Sequence, residues 1–101
     1  MATLFSSRAS VEIYGRGAAC RANWPLGSIA FDAESFTFGA LLRSYRLRVQ
    51  DIDHIKFGGL SAQFIHHASD VPSLVRIWGL RLPGRLKDAI QQHHLEVQTK
   101  P

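Results

Sequence analysis

Apolar and polar side chains alternate with a period of two along the first part of the chain, to about residue 79, as they do in half-buried strands. The clearest case is residues 44–49, where Tyr45, Leu47 and Val49 share one face while serine and arginine occupy the other. Because the alternation has no exception there, it predicts a sheet with one face buried and one face in water.

Turn-forming residues divide this region into six or seven short strands, a number typical of a small barrel or sandwich. Turns are expected around the glycines at 15–17 and 58–59, and a kink or helical turn is expected at residues 50–53. Residues 24–27, Trp-Pro-Leu-Gly, are excluded from a strand interior because proline lacks the N–H that a ladder requires. The other strands are predicted at residues 10–14, 19–22, 29–31 and 35–38 (the last two as a hairpin), from Ile55, and at 63–67 and 74–78.

From Leu82 onward the apolar positions follow the period of a helix, which is expected to end near His94. Pro83 suits the first helical turn, where its missing N–H has no partner to lose. The side chains that form the apolar stripe of this amphipathic helix are Leu82, Leu86, Ala89, Ile90 and His93. Strands come first and one helix comes last.

Length and composition favour one small folded domain, since the chain has 101 residues and is 46% hydrophobic. We expect a flexible N-terminal segment at 1–8, a single domain at 9–97 and a tail at 98–101. The single Cys20 excludes a disulfide scaffold, and no apolar run approaches the roughly 18 residues of a membrane-spanning helix. The N-terminus lacks the features of a secretory signal, so a cytoplasmic location is expected.

The order of elements, antiparallel hairpins followed by one amphipathic helix, resembles that of pleckstrin-homology-like domains, and the residues are similar to small bacterial members of that superfamily. The similarity spans about residues 9–97. The segments that carry it are Ala22-x-Trp24-Pro25-Leu26-Gly27-x-Ile29, Phe36-x-Phe38, Tyr45-Arg46-Leu47 with Ile52-x-x-Ile55, Phe64-Ile65-His66-His67, and Val75-Arg76-Ile77-Trp78 with the helix from Pro83.

This resemblance implies a bent, partly open antiparallel barrel of about seven strands, capped by the helix. Such domains bind a protein segment, a lipid headgroup or a copy of themselves, and they are not known mainly for catalysis. In the phosphoinositide binders of the superfamily a basic cluster around the first hairpin holds the phosphates. Here that hairpin offers only Arg16 and Arg21, so the chain departs from that pattern.

Charge suggests a second class of partner, because the net charge is +4 and arginines are densest at residues 43–48. Arg46 and Arg48 project from one face of a strand, Arg43 lies just before them, and Arg76 is a fourth candidate from another strand. These residues would bind anionic lipid or nucleic acid. A solvated sheet face explains the same pattern, and it is favoured because no aromatic residue interleaves with the arginines.

Reactive groups are few. His66 and His67 lie in one predicted strand and point to opposite faces, so they are not expected to share a metal. His54 near two aspartates, Asp51 and Asp53, would be the centre of an enzyme or metal site, but a solvated turn is the commoner explanation. Cys20 is expected to be a small buried side chain. We therefore predict no catalytic residue, no metal, no cofactor and no small-molecule substrate.

Trp78 shares the outer face of its strand with Arg76, opposite Val75 and Ile77. An indole in that position is unusual unless the helix or a partner covers it. With Leu74 it forms our candidate protein-contact surface. The sequence thus favours a non-catalytic binding module that contacts an unidentified protein partner or a second copy of itself, with anionic lipid or nucleic acid as the alternative.

Overall fold

A computed structural model describes residues 3–15, 17–40 and 42–100 of the chain. Most of these residues are in β-strands, and one α-helix follows the seventh strand. The elements are β1 (Phe5–Gly15), β2 (Ala18–Phe31), β3 (Ser35–Ala40), β4 (Arg43–Arg48), a 3₁₀ turn (Val49–Asp51), β5 (Ile52–Phe57), β6 (Ser61–His66), β7 (Leu74–Trp78), α1 (Leu82–Gln92) and β8 (Thr99–Lys100).

All eight strands belong to one sheet in the order β4-β3-β2-β1-β7-β6-β5-β8. Neighbouring strands are antiparallel except β8, which runs parallel to β5. The sheet curls into an open half-barrel. A mostly β fold with one helix is therefore confirmed. Strand β7 is paired along both of its edges, with β1 on one side and β6 on the other.

The inner face of the curled sheet holds the hydrophobic core. Phe36, Phe38 and Phe64 are fully buried, and the Phe64 ring lies 5.1 Å from the Phe36 ring and 4.8 Å from the Phe38 ring, in edge-to-face contact. The predicted hairpin of residues 29–31 and 35–38 is confirmed, with Ile29 opposite Phe38. Alternation along these strands therefore assigned the buried faces correctly.

The structure corrects the exclusion of residues 24–27 from a strand. These residues lie inside β2, which is one strand of 14 residues. The pairing with β1 jumps from Ala9–Gly27 to Val11–Ala22, so residues 23–26 form an outward bulge with no ladder partner. Pro25, whose peptide bond with Trp24 is cis, is tolerated because the bulge needs no donor from it.

Helix α1 closes part of the concave side of the sheet. Its buried residues include Leu82, Leu86 and Ile90, as the apolar stripe predicted, and Pro83 occupies the first turn. His93 caps the C-terminus, with its ring edge-on to Phe31 at 6.2 Å. Over the described ranges, no helix is long and apolar enough to cross a membrane.

Several boundaries differ from those predicted. β1 begins at Phe5, so residues 5–8 of the predicted N-terminal segment pair with β2, and two residues of the predicted tail form β8. The short strand expected at 19–22 is part of β2, and β6 begins at Ser61. The expected helical turn is present at Val49–Asp51, and β7 has the predicted bounds.

Candidate interaction surface

Trp78 lies on the outer face of β7 close to two guanidinium groups. The central carbon of Arg21 is 5.7 Å from the centre of the indole ring, and that of Arg76 is 5.8 Å from it. Both distances are within the range of cation–π attraction. Trp78 is half-buried. The prediction that Trp78 shares the outer face with Arg76 is consistent with this arrangement.

Register explains how these side chains meet. Glu12 of β1 is opposite Arg21 of β2 on one side and opposite Arg76 of β7 on the other, so the three side chains form one row across the sheet. Nη2 of Arg76 donates to Oε1 of Glu12 at 2.6 Å. Glu12 is almost buried even though it faces outward, since its two arginine neighbours cover it.

Three large apolar side chains next to this row are exposed to solvent. Trp24 is 64% exposed, Leu60 is 58% exposed and Leu80 is 82% exposed. They come from three different places in the sequence: the β2 bulge, the β5–β6 turn and the turn between β7 and α1. Exposed large apolar residues that cluster are unusual on a monomer and mark contact sites more often than scattered ones do.

Two backbone contacts hold these three residues beside Trp78. The Gly79 N–H donates to the Leu60 carbonyl at 2.9 Å, which places the β5–β6 turn against the end of β7. The Trp24 N–H donates to Oγ of Ser10 at 2.8 Å, and Ser10 is the partner of Trp78 in the β1–β7 ladder. We call Trp24, Leu60, Trp78 and Leu80 the corner surface.

Two shallow depressions mark the corner surface. One, of about 310 Å³, is lined by Leu60, Trp78 and the row of charged side chains. The other, of about 350 Å³, is lined by Trp24 and Leu80 together with Arg8 and Arg85. Residues 78–80 connect them. Each depression thus combines an apolar wall with arginine, which can contact an apolar and an anionic group at once.

Leu74, the other predicted contact residue, is not part of the corner surface. It lies at the opposite end of β7 from Trp78, paired with Tyr14 of β1, and is half-buried. The two residues do share the outer face, as the alternation predicted. Leu74 therefore lies beyond the two depressions, whereas Trp78 lies in one of them.

The four candidate anion-binding arginines are not brought together along the sheet. Arg43, Arg46 and Arg48 are exposed on β4, an edge strand, while three strands stand between β4 and the β7 strand of Arg76. Nε of Arg46 donates to Oγ of Ser35 at 2.8 Å, and Arg48 forms a 3.3 Å ion pair with Asp51. Local carboxylates thus offset part of the charge that a polyanion would need.

The aspartates near His54 pair with a different histidine. His67 lies 3.0 Å from Asp53 and 3.7 Å from Asp51, at an exposed position just after β6. His66 is engaged elsewhere: Nε2 is 3.0 Å from the Pro72 carbonyl, and Nδ1 accepts a hydrogen bond from the Ala68 N–H. The two adjacent histidines thus have different partners within the chain, and that they do not share a metal stays a prediction.

Cys20 is half-buried, and its thiol lies 3.7 Å from the Ala40 carbonyl. Within residues 3–15, 17–40 and 42–100, no three His, Cys, Asp or Glu side chains are grouped closely enough to hold a metal ion. Arg16, the other basic residue of the first hairpin, lies outside the described residues.

A more spacious depression, about 670 Å³, lies beside the C-terminus of α1. Its lining mixes Arg48, His93 and His94 with Glu34 and Glu96. Opposed charges of that kind favour no single class of ligand. The two smaller depressions of the corner surface differ from it, since four arginines and a single carboxylate, that of Glu12, are among their described lining residues.

Sequence reasoning did not identify Trp24, Leu60 and Leu80 as neighbours of Trp78. A signal was present, because Leu60 follows Gly59 and Leu80 follows Gly79, which puts both large apolar residues next to a glycine and outside the predicted strands and helix. Their proximity depends on which turns meet at one end of the sheet. That is set by strand order, which alternation does not reveal.

No family model matches the chain, and a comparison with curated proteins finds no match.

Proposed function

We propose that the chain is a non-catalytic binding module of the pleckstrin-homology-like class, which acts through contact with another protein at the corner surface. The class is supported by the order of elements, seven antiparallel strands followed by an amphipathic helix that packs on the core. Fold class alone does not fix a function, so the argument for binding depends on the surface.

The observation that carries the proposal is the joint exposure of Trp24, Leu60 and Leu80 beside Trp78. Tryptophan and arginine are the side chains that contribute most to protein interfaces, and both occur here around two concave sites. Because these three side chains are exposed, most of their apolar surface does not contribute to the core of the free chain. Covering them with a partner would remove apolar area from water at about 25 cal/mol per Å².

A partner of another sequence fits this surface better than a second copy does. Arg8, Arg21, Arg76 and Arg85 line the two depressions, and Glu12 is the one carboxylate among the described lining residues. A symmetric dimer through the corner would bring like charges together, which costs free energy at an interface. We therefore expect a monomer at micromolar concentration in analytical ultracentrifugation.

A display library of random peptides, selected on the purified chain, tests the proposal. The enriched peptides should bind the wild type and lose at least about tenfold in affinity to the Trp24→Ser/Leu80→Ser variant, because interface anchors contribute at least about 1.4 kcal/mol. Leu42→Ser is the matched control, since Leu42 is fully exposed in the turn before β4 and is not a corner residue. Peptides that bind the double variant as tightly as the wild type would contradict the proposal.

A further inference from the structure

The indole of Trp78 has one arginine neighbour with a carboxylate partner and one without. Arg76 is paired with Glu12. Arg21 also lies over the ring, and it forms no ion pair with a carboxylate anywhere in the described ranges. The depression against Trp78 and Leu60 therefore carries one positive charge that the chain itself does not balance.

The neighbouring depression also combines an apolar wall with arginines that have no carboxylate partner among the described residues. Arg85 lies 5.8 Å from the centre of the Phe5 ring, and its Nη1 donates to Oγ of Ser7 at 3.3 Å. Neither Arg85 nor Arg8 is paired with a carboxylate in the part of the chain that the structure describes. Trp24 and Leu80 form the apolar wall here, as Trp78 and Leu60 do next door.

On these grounds we propose that the partner segment bound at the corner surface is acidic: an extended stretch in which carboxylates stand next to aliphatic or aromatic side chains. This inference rests on the proposed function. One carboxylate of the segment is held by Arg21 in the Trp78 depression. A second carboxylate is held by Arg8 or Arg85 in the other depression, and apolar neighbours in the segment cover Leu60 and Leu80.

The placement of Arg21 fits a carboxylate side chain that has an apolar neighbour. Its guanidinium lies above the Trp78 ring, and the depression there is small. A guanidinium can hold a carboxylate through two parallel hydrogen bonds, and the Trp78 ring beside it offers an apolar surface to the neighbouring side chain of the segment. Arg21 is exposed, so anionic lipid headgroups can also reach it, and vesicles of anionic lipid distinguish them from an acidic protein segment.

The experiment uses the peptides enriched from the random library on the full chain. Their sequences should contain more Asp and Glu than the unselected library. Arg21→Gln should weaken their binding about tenfold, as expected for the loss of a charge-assisted hydrogen bond. Arg43→Gln, which removes the same charge from the distant edge strand β4, should change affinity by less than about twofold. Thermal unfolding of both variants checks that the fold is retained.

Each alternative result is distinct. Peptides that depend on Trp24 and Leu80 but show no acidic enrichment and no loss with Arg21→Gln would overturn this inference and leave the proposed function standing. Failure to enrich any peptide that depends on the corner residues would overturn both. Vesicles of phosphatidylserine and phosphatidylcholine serve as a second probe. Binding to them that requires Arg21, in the absence of peptide binding, would replace the acidic protein segment with an anionic membrane.

Discussion

The Glu12 carboxylate accepts a 2.6 Å hydrogen bond from Arg76, although Arg21 lies directly opposite Glu12 on the other side of β1. The side chain of Glu12 is 11% exposed, whereas that of Arg76 is 43% exposed. This choice of partner neutralises the more buried charge and leaves Arg21 over the Trp78 ring. The electrostatic character of the corner surface follows from this one pairing.

Removing the arginine of this pair should cost more stability than neutralising the acid. Arg76→Gln removes the hydrogen-bonded charge partner of the nearly buried Glu12 carboxylate, so we expect a loss of about 2 kcal/mol in the free energy of unfolding. Glu12→Gln leaves only the half-exposed Arg76 without a charged partner, so the expected loss is about 1 kcal/mol. Urea unfolding of both variants measures the difference. If Glu12→Gln lowered the free energy of unfolding more than Arg76→Gln does, the buried charge of Glu12 would not be the reason that the pair stabilises the fold.

Phe64 is the central aromatic residue of the core, in contact with both Phe36 and Phe38. Phe64→Ala should reduce the free energy of unfolding by about 4 kcal/mol, because the cavity left behind adds to the lost transfer free energy. The free energy of unfolding of a native domain is about 5–15 kcal/mol, so the variant will retain little stability at 37 °C. Leu42→Ala, at a fully exposed position, should change stability by less than about 0.5 kcal/mol in the same urea titration.

Gly27 marks the point where β2 rejoins β1 after the bulge. A β-carbon there would lie 2.5 Å from the Ala9 carbonyl oxygen and 2.9 Å from a methyl of Val11. Gly27→Ala should therefore destabilise the domain by about 1–3 kcal/mol through steric crowding. Gly59→Ala is the control, since a β-carbon added at Gly59 would meet nothing within 4 Å. Equal thermal unfolding midpoints for the two variants would contradict this account of the bulge.

Asp32 is the first residue of the turn between β2 and β3, and its pKa is lowered. The main cause is the hydrogen bond that its Oδ1 accepts from the Glu34 N–H at 2.8 Å. A second hydrogen bond from the Ser35 N–H and the charge of Arg46 lower the pKa further. A carboxylate with a lowered pKa stabilises the fold fully above its ordinary value of 3.8 and loses that contribution as the pH falls through the lower folded value. Asp32→Asn should therefore be less stable than the wild type at neutral pH. Thermal unfolding midpoints should converge as the pH falls below about 4. If the difference between the two unfolding midpoints stayed the same at low pH, the ionised Asp32 carboxylate would not be the stabilising group.

Much of the fold could be predicted from the sequence, because the apolar positions follow the strand period of two and, from Leu82 onward, the helical period with few exceptions. Residues 74–78 form β7 with the expected bounds, and the stripe from Leu82 to Ile90 is buried as expected. What the periods do not contain is the pairing of distant strands. The bulge at residues 23–26 depends on the register between β1 and β2, so a proline that looks like a strand breaker lies inside a strand.

The candidate site was predictable only in part, for the same reason. Trp78 could be placed on an outer face from the alternation of a single strand. Its neighbours Arg21 and Leu60 come from β2 and the β5–β6 turn, and only the strand order brings them to it. The arginines of β4 looked like one cluster with Arg76 because the sequence does not show the three strands between β4 and β7.

The most direct test of the central claim is a titration of the ¹⁵N-labelled chain with an enriched peptide, followed through the tryptophan indole N–H signals. The chain has two tryptophans, and both belong to the corner surface. We predict that the indole signals of Trp24 and Trp78 shift saturably with peptide concentration, while the amide of Leu42 stays in place. Saturable binding that moves the amides of β4 and leaves both indole signals unchanged would contradict the account.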